Sequence, residues 1–269
     1  MLKDITLGQY FPGNSPVHRL DPRTKLILLI AYIVALFSAA NWLSYGVMFL
    51  FLAVTIAVSR IPLKSILGGM KPLVMILVFT GVLNIFFTTG EGEPWKLFGF
   101  IKIYKEGIIR AVFMTLRILM LITGTFLLTY TTSPIALTDG LESLLGPLKK
   151  LRVPVHELSM MMCIALRFIP TLIEETDKIM SAQKARGADF ETGNLLERVK
   201  ALVPILVPLF ISAFRRADEL ATAMECRCYH GGDGRTKMKL LRYRLLDYKG
   251  FLIGAVMLSG IFVLRSFGL

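Results

Sequence analysis

Long uncharged runs divided by short charged segments are the main pattern along this chain. Residues 26–59 form an unbroken uncharged run of 34, flanked by Lys25 and Arg60. One helix of that length would measure about 51 Å, well beyond the hydrocarbon core of a bilayer at about 30 Å. The run therefore predicts two membrane-spanning helices, at residues 24–40 and 43–59.

Local signals mark the ends of these two spans. Asp21 and Pro22 suit the N-cap and the first helical position of the first span. The chain is expected to fold back at Asn41 and Trp42. Trp42 and Tyr45 have the amphipathic rings that collect at a membrane interface, so we expect both of them there.

Three more apolar segments predict further spans, at residues 72–89, 107–131 and 250–267. Residues 158–166 and 201–214 are also apolar, but they offer only 9 and 14 uncharged positions. Those lengths are too short to cross a bilayer, so they favour interfacial or packed helices. The expected fold class is an all-α polytopic membrane protein with about five transmembrane helices.

Composition supports this class and excludes others. Hydrophobic residues make up 54% of the chain and charged residues 19%, with a mean hydropathy of +0.62 and a net charge of +12. Such a chain must keep its apolar and basic residues apart, which disfavours both a soluble enzyme and a disordered protein. Three cysteines are too few for a disulfide-stapled secreted fold.

The distribution of charge gives an orientation. The loop at 60–71 has three bases and no acid, the first 25 residues have four bases and two acids, and residues 90–106 are balanced. The positive-inside bias then predicts that the N-terminus and the 60–71 loop lie in the cytoplasm. The domains are expected to be an N-terminal membrane domain (1–132), a cytoplasmic segment (133–249) and a C-terminal transmembrane helix (250–269).

The segment 133–249 contains 18 of the 31 basic residues and 14 of the 19 acidic ones. Its apolar residues recur at helical spacing, so we expect amphipathic cytoplasmic helices between the fourth and fifth spans. The basic cluster before the last span is typical of a segment that meets anionic lipid rather than nucleic acid. Its members are Arg235, Lys237, Lys239, Arg242 and Arg244.

Two stretches of this segment repeat with an offset of 41 residues. The first runs from Asp177 to Arg186 and the second from Asp218 to Arg227. Each is expected to follow a helix start marked by proline and to end soon after its arginine at glycine. The start and end markers are Pro170 and Gly187 for the first stretch, and Pro208 and Gly231-Gly232 for the second.

A cationic fork in the last turn of a helix can bind carboxylates or carbonyls of a partner, and it suits the helix dipole. Either arginine alone is more simply explained as stabilising its own helix, but the duplication favours two similar docking sites. We also expect the two helices to cross, with small side chains allowing close approach and opposite charges pairing. The residues concerned are Ala182, Ala223, Glu174, Glu175, Arg215 and Arg216.

Across nearly its whole length the chain resembles the transmembrane T component of energy-coupling factor (ECF) transporters, which import vitamins and related micronutrients. The resemblance rests on four stretches: His18–Lys25, Thr131–Pro134, Ala165–Pro170 and Ala182–Gly187. In that family two cytoplasmic coupling helices each end in a short motif centred on arginine. Ala185, Arg186 and Gly187 match the first motif, whereas Cys226, Arg227 and Cys228 keep only its arginine.

The resemblance implies a non-catalytic coupling subunit. The two motifs would dock into two ATP-binding-cassette (ABC) ATPase subunits, and a small substrate-binding (S) membrane subunit would hold the vitamin. This chain has no G-x-x-x-x-G-K-[ST] phosphate loop, so ATP and Mg²⁺ are expected on the partner subunits, with no cofactor on this chain.

A stand-alone secondary transporter is the alternative function, and a membrane-embedded enzyme is a third. The five expected spans contain no Asp or Glu, which disfavours ion-coupled transport, and no His, Asp and Cys constellation supports an enzyme. Metal binding is not expected from His18, His156 and His230. Arg117 lies within the expected fourth span, and two interpretations stay open for it. Its guanidinium either forms hydrogen bonds with helix carbonyls or with a partner subunit, or it extends to the membrane interface.

Overall fold

The computed structural model describes residues 10–87, 95–97, 101–190, 194–232 and 240–267. Within these residues the chain is almost entirely helical. Its elements are α1 (Pro22–Ser38), α2 (Trp42–Ser59), α3 (Leu63–Phe87), β1 (Trp95–Leu97), β2 (Ile101–Ile103), α4 (Lys105–Thr131), α5 (Pro134–Leu145), a 3-10 helix (Gly146–Leu151), α6 (Val155–Ala185), α7 (Leu195–Glu225) and α8 (Leu245–Ser266). This architecture confirms the all-α class.

The chain divides into two compact units. The first, which we name the span unit, takes in Gly8–Gly140 and Leu241–Leu269, and it contains α1 to α4 and α8. The second, which we name the pair unit, contains α6 and α7 and lies within Leu141–Leu240.

The sequence signal for the start of α1 is confirmed. The side chain of Asp21 accepts a hydrogen bond from the Arg23 N–H at 2.9 Å, and Pro22 is the first helical residue. The second, fourth and fifth spans begin one, two and five residues before their expected positions. For the interface aromatics the outcome differs: Trp42 is 59% exposed, but Tyr45 is only 4% exposed and packs in the core.

The third span begins earlier than expected. α3 starts at Leu63, nine residues before Pro72, so most of the expected 60–71 loop is helix. Arg60 adopts a left-handed conformation (φ 57°) at the C-cap of α2, and α3 begins three residues later. A proline in a helix removes only one N–H donor, and the neighbouring turns continue the helix around it. The expected residues 88–89 lie outside the described residues.

A short antiparallel hairpin joins α3 to α4. It pairs β1 with β2, with Trp95 opposite Ile103 and Leu97 opposite Ile101. The sequence pattern did not predict these strands, because three residues are too few to show an alternating pattern.

Two apolar clusters hold the span unit together. The larger one joins α1, α2, α4 and α8, and the smaller one joins the start of α3 to the end of α4. Gly124 allows close approach, since a Cβ there would lie 2.9 Å from the Tyr32 ring. The buried members of the larger cluster are Tyr32, Ala35, Leu36, Ala39, Tyr45, Met48, Leu52, Met120, Met257 and Ile261.

Five helices in the described residues are long and apolar enough to cross a membrane: α2, α3, α4, α6 and α8. The number agrees with the five expected spans, but the membership differs. α1 has 17 residues, at the lower limit for a span. Conversely, residues 158–166 belong to the 31-residue helix α6, so their nine uncharged positions underestimated the length of this helix. An interfacial or packed location for it stays a prediction.

The pair unit consists mainly of two helices of equal length, α6 and α7, with 31 residues each. The expectation that Pro170 and Pro208 begin these helices was wrong, since both prolines lie inside them, as does Pro204. The true start of α7 has a capping box between Asn194 and Glu197.

Candidate functional site: the two arginine helix ends

The end of α6 is a Schellman motif, the hydrogen-bonded turn that closes many helices with a left-handed residue. The Gly187 N–H donates to the Lys184 carbonyl at 3.0 Å, and the Ala188 N–H donates to the Gln183 carbonyl at 3.0 Å. Gly187 has φ 90°, a conformation that side chains rarely adopt. Arg186 is the residue immediately before this turn.

The end of α7 repeats the same arrangement 41 residues later. The Cys228 N–H donates to the Glu225 carbonyl at 2.8 Å, and the Tyr229 N–H donates to the Met224 carbonyl at 3.1 Å. Cys228 takes the left-handed position with φ 55°, and Arg227 immediately precedes it. A cysteine therefore takes the left-handed position that is usually occupied by glycine. The helix ends three residues before Gly231-Gly232, where the sequence analysis expected its end.

Both arginine motifs are exposed. This holds for Ala185, Arg186 and Gly187 and also for Cys226, Arg227 and Cys228. Neither arginine side chain forms a hydrogen bond or ion pair with the residues that the structure describes. Two guanidinium groups in equivalent backbone settings are thus accessible to another molecule.

The structure brings one of the expected charge pairs together. Arg216 Nη2 lies 3.0 Å from Glu175 Oε2, and the Gln183 side chain donates to the Pro204 carbonyl at 3.4 Å. The order of these contacts shows that α6 and α7 run antiparallel. Their C-terminal ends are therefore at opposite ends of the pair, on the order of 40 Å apart along the helices.

The other residues expected at the crossing are not brought together. Glu174 and Arg215 are exposed and form no ion pair within the described ranges. Ala182 and Ala223 are also exposed, so neither is covered by the opposite helix. Each alanine instead precedes its arginine by four residues, which places the two on the same helix face.

α6 and α7 enclose an apolar groove of about 460 Å³ near the end of α7, lined by Ile164, Phe168, Leu172, Ala217, Leu220 and Met224 among others. The first two thirds of α7 have a further exposed apolar surface, which we name the α7 apolar face. Its residues are Leu196, Val199, Leu202, Val203, Leu206, Val207, Phe210, Ile211 and Phe214, and each is at least 45% exposed.

In the span unit, two of the stretches that carried the family resemblance meet. The Lys25 amine donates to the Thr131 carbonyl at 2.8 Å and to Thr132 Oγ1 at 3.1 Å. The residues 18–25 are thus bonded to the end of α4. These interactions are structural, since Lys25 is only 7% exposed.

Sequence reasoning missed Asp247, a buried carboxylate at the start of α8. Its Oδ1 accepts from the Asp21 N–H at 2.8 Å and its Oδ2 from the Arg244 N–H at 2.7 Å. It is 1% exposed. The acid lies before residue 250, where the expected span began, so the uncharged-run criterion placed it outside the membrane helix. Its carboxylate holds the starts of α1 and α8 together.

Arg117 bonds to a helix carbonyl, which is one of the two alternatives for this residue. Its Nη2 donates to the Ala39 carbonyl at 3.1 Å and its Nε to the Tyr45 hydroxyl at 2.9 Å. Ala39 is the C-cap residue of α1, whose carbonyl has no partner within its own helix. Arg117 therefore supplies the hydrogen bond that the end of α1 lacks.

Among the described residues, no group of three or more His, Cys, Asp or Glu side chains could hold a metal ion. His156 instead belongs to a polar cluster in the pair unit. Its Nδ1 lies 3.0 Å from Glu142 Oε1, and Ser159 Oγ donates to the other oxygen of that carboxylate at 3.0 Å.

Sequence comparisons with known proteins show which family the chain belongs to. The family described as CbiQ, cobalt transport protein, matches residues 13–238. Several curated relatives are described as energy-coupling factor transporter transmembrane protein EcfT. One of them, from Ruminiclostridium cellulolyticum, is 56% identical to this chain over 247 residues, which cover 92% of each chain. Another, from Bacillus subtilis, is 50% identical over 266 residues, covering 99% of this chain and 100% of the relative.

These matches define a class, the membrane components of transporters. Within that class, the chain belongs to the family of ECF transporter transmembrane components.

Proposed function

We propose that this chain is the coupling subunit of an ECF-type ABC importer and that the two arginine ends are its docking sites for two ATPase subunits. The observation that carries this proposal is the equivalence of the ends of α6 and α7. Two exposed arginines precede turns with the same hydrogen bonds. A duplicated recognition element fits a pair of similar receptors.

The chemistry of the ends supports docking into a groove. A guanidinium is always charged and presents several donors in a planar fork, so it binds carboxylates or backbone carbonyls in bidentate fashion. Arg186 and Arg227 have no partner within the described chain, and so no intramolecular bond must break when they bind. The separation of the ends, on the order of 40 Å, leaves room for two ATPases.

The helix pair can transmit a movement. Each helix is about 46 Å long. Contacts between Arg216 and Glu175 and between Gln183 and Pro204 connect the two helices. A displacement at either end would therefore move the α7 apolar face as well. That face would contact lipid and a small S subunit carrying a vitamin or a related micronutrient.

ATP chemistry belongs to the partners in this proposal. The chain has no phosphate loop, so the ATPases would bind ATP and Mg²⁺. The chain itself would contribute positioning alone and would have no catalytic residue. Charge distribution supports a cytoplasmic location for the N-terminus and residues 133–249. Membership of a family with bacterial relatives supports a prokaryotic plasma membrane.

The first test is affinity purification of the tagged full chain from mildly solubilised native membranes, with co-purifying subunits identified by mass. We expect two ABC-type ATPase subunits and one small membrane protein, whose bound ligand would identify the cargo. A chain that purified alone and moved a solute in liposomes would contradict the proposal and support a stand-alone carrier.

The second test replaces both arginines. Arg186→Glu together with Arg227→Glu should lower ATPase recovery by more than about 100-fold, because each guanidinium bond lost and each repulsion gained weakens docking. The matched control is Arg215→Glu, the same charge reversal at an exposed arginine of α7 near the middle of the helix pair, beside the contact between Arg216 and Glu175. Unchanged ATPase recovery in the double variant would exclude docking through the arginines.

A further inference from the structure

A groove in the span unit lies between α2 and α3 and reaches α4. Its volume is about 550 Å³, within the range of about 300–1,000 Å³ that is typical of ligand sites. Along α2 its lining extends from Phe49 to Arg60, and on α4 it includes Leu119 and Thr123. All the lining residues except Arg60 and Thr123 are apolar. We name this feature the α2–α3 groove.

The length of the groove matches the thickness of one bilayer leaflet. Phe49 and Arg60 are 11 positions apart on α2, which is about 16 Å along the helix. The hydrocarbon core is about 30 Å thick, so each leaflet contributes about 15 Å. α2 is one of the helices that are long and apolar enough to cross a membrane, and Arg60 is its C-cap. In a bilayer the groove would therefore extend from one membrane face to about the middle, as an acyl chain does.

The inner wall of the groove is buried, whereas its edges are exposed. Ile66 and Met70 are 3% and 8% exposed, but Leu67 of the same helix is 63% exposed. Ala53 and Ala57 are also exposed, and they lie one turn apart on the same face of α2. Their small side chains leave room between the larger apolar side chains around them. A flexible apolar chain would fill that room and cover the exposed edges.

Two cations lie at the end of the groove. Arg60 lines it, and Lys64 is in the first turn of α3 beside Leu63, another lining residue. Both cations are exposed, and neither side chain forms a hydrogen bond or ion pair within the part of the chain that the structure describes. Residues 60–71 contain three bases and no acid. An apolar groove that ends at two such cations fits an amphiphile with an apolar chain and an anionic head.

The turn after α2 does not by itself explain an arginine at position 60. Arg60 has φ 57°, a left-handed conformation that is unfavourable for any residue with a side chain and that glycine adopts readily. A guanidinium can bind a phosphate group through two parallel hydrogen bonds. An interaction of this kind with another molecule would account for the arginine.

We propose that the α2–α3 groove binds an acyl chain of an anionic phospholipid and that Arg60 and Lys64 bind the phosphate group of the same lipid. The lipid would come from the cytoplasmic leaflet, because the positive-inside bias predicts that residues 60–71 face the cytoplasm. Cations at this level of a membrane protein are attracted to anionic headgroups. The inference does not depend on docking of ATPases at the ends of α6 and α7.

The test uses the tagged full chain with its co-purifying subunits, in nanodiscs of equal parts phosphatidylglycerol and phosphatidylcholine. A trace of one lipid or the other carries a photoreactive diazirine in its acyl chain, and peptide mass mapping locates the label. We expect the phosphatidylglycerol probe to label residues 49–60 at least about fivefold more than the phosphatidylcholine probe. Fivefold corresponds to about 1 kcal/mol, the contribution of one cation near an anionic surface.

Variants of the two cations test the binding of the headgroup. Arg60→Gly suits the left-handed conformation, so together with Lys64→Gln it should remove the cations while keeping the turn. The preference for phosphatidylglycerol at residues 49–60 should then fall about fivefold or more, whereas Arg60→Lys should keep most of it. The matched control is Arg152→Gly in the pair unit. Arg152 is also exposed and left-handed (φ 61°), and its replacement should leave the preference unchanged.

Variants of two alanines test the binding of the acyl chain. Ala57→Phe places a large side chain in the groove, so labelling of residues 49–60 by the phosphatidylglycerol probe should fall to the level of the phosphatidylcholine probe. Ala255→Phe makes the same change at an exposed position of α8 outside the groove lining. It should leave the labelling of residues 49–60 unchanged. Equal amounts of all variants in membranes would show that they insert normally.

Three results would overturn the inference. One is equal labelling by the two probes, since the groove would then hold any lipid of the bilayer. Another is a preference for phosphatidylglycerol that Arg60→Gly/Lys64→Gln leaves unchanged. The third is protection of residues 49–60 from both probes by a subunit that crosslinks to them, which would show that a protein occupies the groove.

Discussion

Charged side chains have different environments in the two units. In the span unit, Asp247 and Lys25 are buried and Arg117 is half-buried, and each forms hydrogen bonds that join helices. At the ends of α6 and α7, Arg186 and Arg227 are exposed and have no partner within the described residues. The comparison separates charges that stabilise this chain from charges available to another protein.

This difference teaches how to interpret a charge in an apolar chain. Removing a buried polar partner leaves donors or acceptors unsatisfied, which costs free energy of unfolding. Removing an exposed, unpaired charge changes stability little and affects only what binds there. Substitutions in the two units should therefore separate stability from docking.

The largest effect on stability is expected at Asp247. Asp247→Ala removes the acceptor of two backbone N–H groups, at Asp21 and Arg244. Each unsatisfied donor costs roughly 1–3 kcal/mol, so the free energy of unfolding should fall by about 3 kcal/mol. Equilibrium unfolding of the purified chain in mixed micelles measures it. The exposed Asp218→Ala should change it by less than about 0.5 kcal/mol; equal losses would remove the distinction between buried and exposed charges.

The next largest loss in the free energy of unfolding, about 2 kcal/mol, is expected when Arg117 is replaced. Arg117→Met keeps an unbranched apolar stem but leaves the Ala39 carbonyl and the Tyr45 hydroxyl without their donor. Tyr45→Phe removes only one of these bonds, so it should cost about half as much. The same unfolding measurement applies, with exposed Arg167→Met as the control. An Arg117→Met chain as stable as the control would mean that the half-buried arginine has no structural role.

A smaller change in stability, an increase rather than a loss, is expected when Cys228 is replaced by glycine. A left-handed conformation costs a residue with a side chain about 1–2 kcal/mol, and glycine avoids this cost but loses more chain entropy on folding. Cys228→Gly should therefore stabilise the end of α7 by about 0.5–1 kcal/mol, seen as slower amide exchange at Tyr229. Cys226→Gly, two residues earlier in a right-handed conformation, should instead destabilise it by about 1 kcal/mol. Faster exchange in both variants would exclude strain at Cys228.

The smallest effect concerns the ion pair between α6 and α7. Glu175→Arg and Arg216→Glu should each cost about 0.5 kcal/mol, because the pair is partly exposed and screened by solvent. The double reversal restores opposite charges, so it should recover most of the loss. A double-mutant cycle in the unfolding assay measures the coupling. Additive losses would show that the 3.0 Å contact contributes nothing to pairing of the helices.

Local signals predicted much of the fold and of the site. Uncharged runs located α2, α4 and α8 to within a few residues, and Asp21 with Pro22 located the start of α1. The 41-residue repeat predicted that Arg186 and Arg227 occupy equivalent positions, as the matching turns show. These features depend on residues close together in the chain, so the sequence contains the information directly.

Prolines and helix pairing were predicted less well. Pro72, Pro170 and Pro208 suggested helix starts, but each lies inside a helix. A proline removes only one N–H donor, and the hydrogen bonds of the adjacent turns continue the helix past it. Ala182 and Ala223 were expected at a crossing and are exposed instead. Small residues permit close approach without specifying where it occurs.

The sequence by itself determined that this chain is an apolar helical protein with two repeated arginine ends, because apolar periodicity, net charge and helix-end residues are properties of short segments. Only the tertiary structure decided which charges are buried and which are available. The bonds of Asp247 to Asp21 and of Lys25 to Thr131 join residues 226 and 106 positions apart. Such pairings depend on how whole helices pack, so no local pattern specifies them.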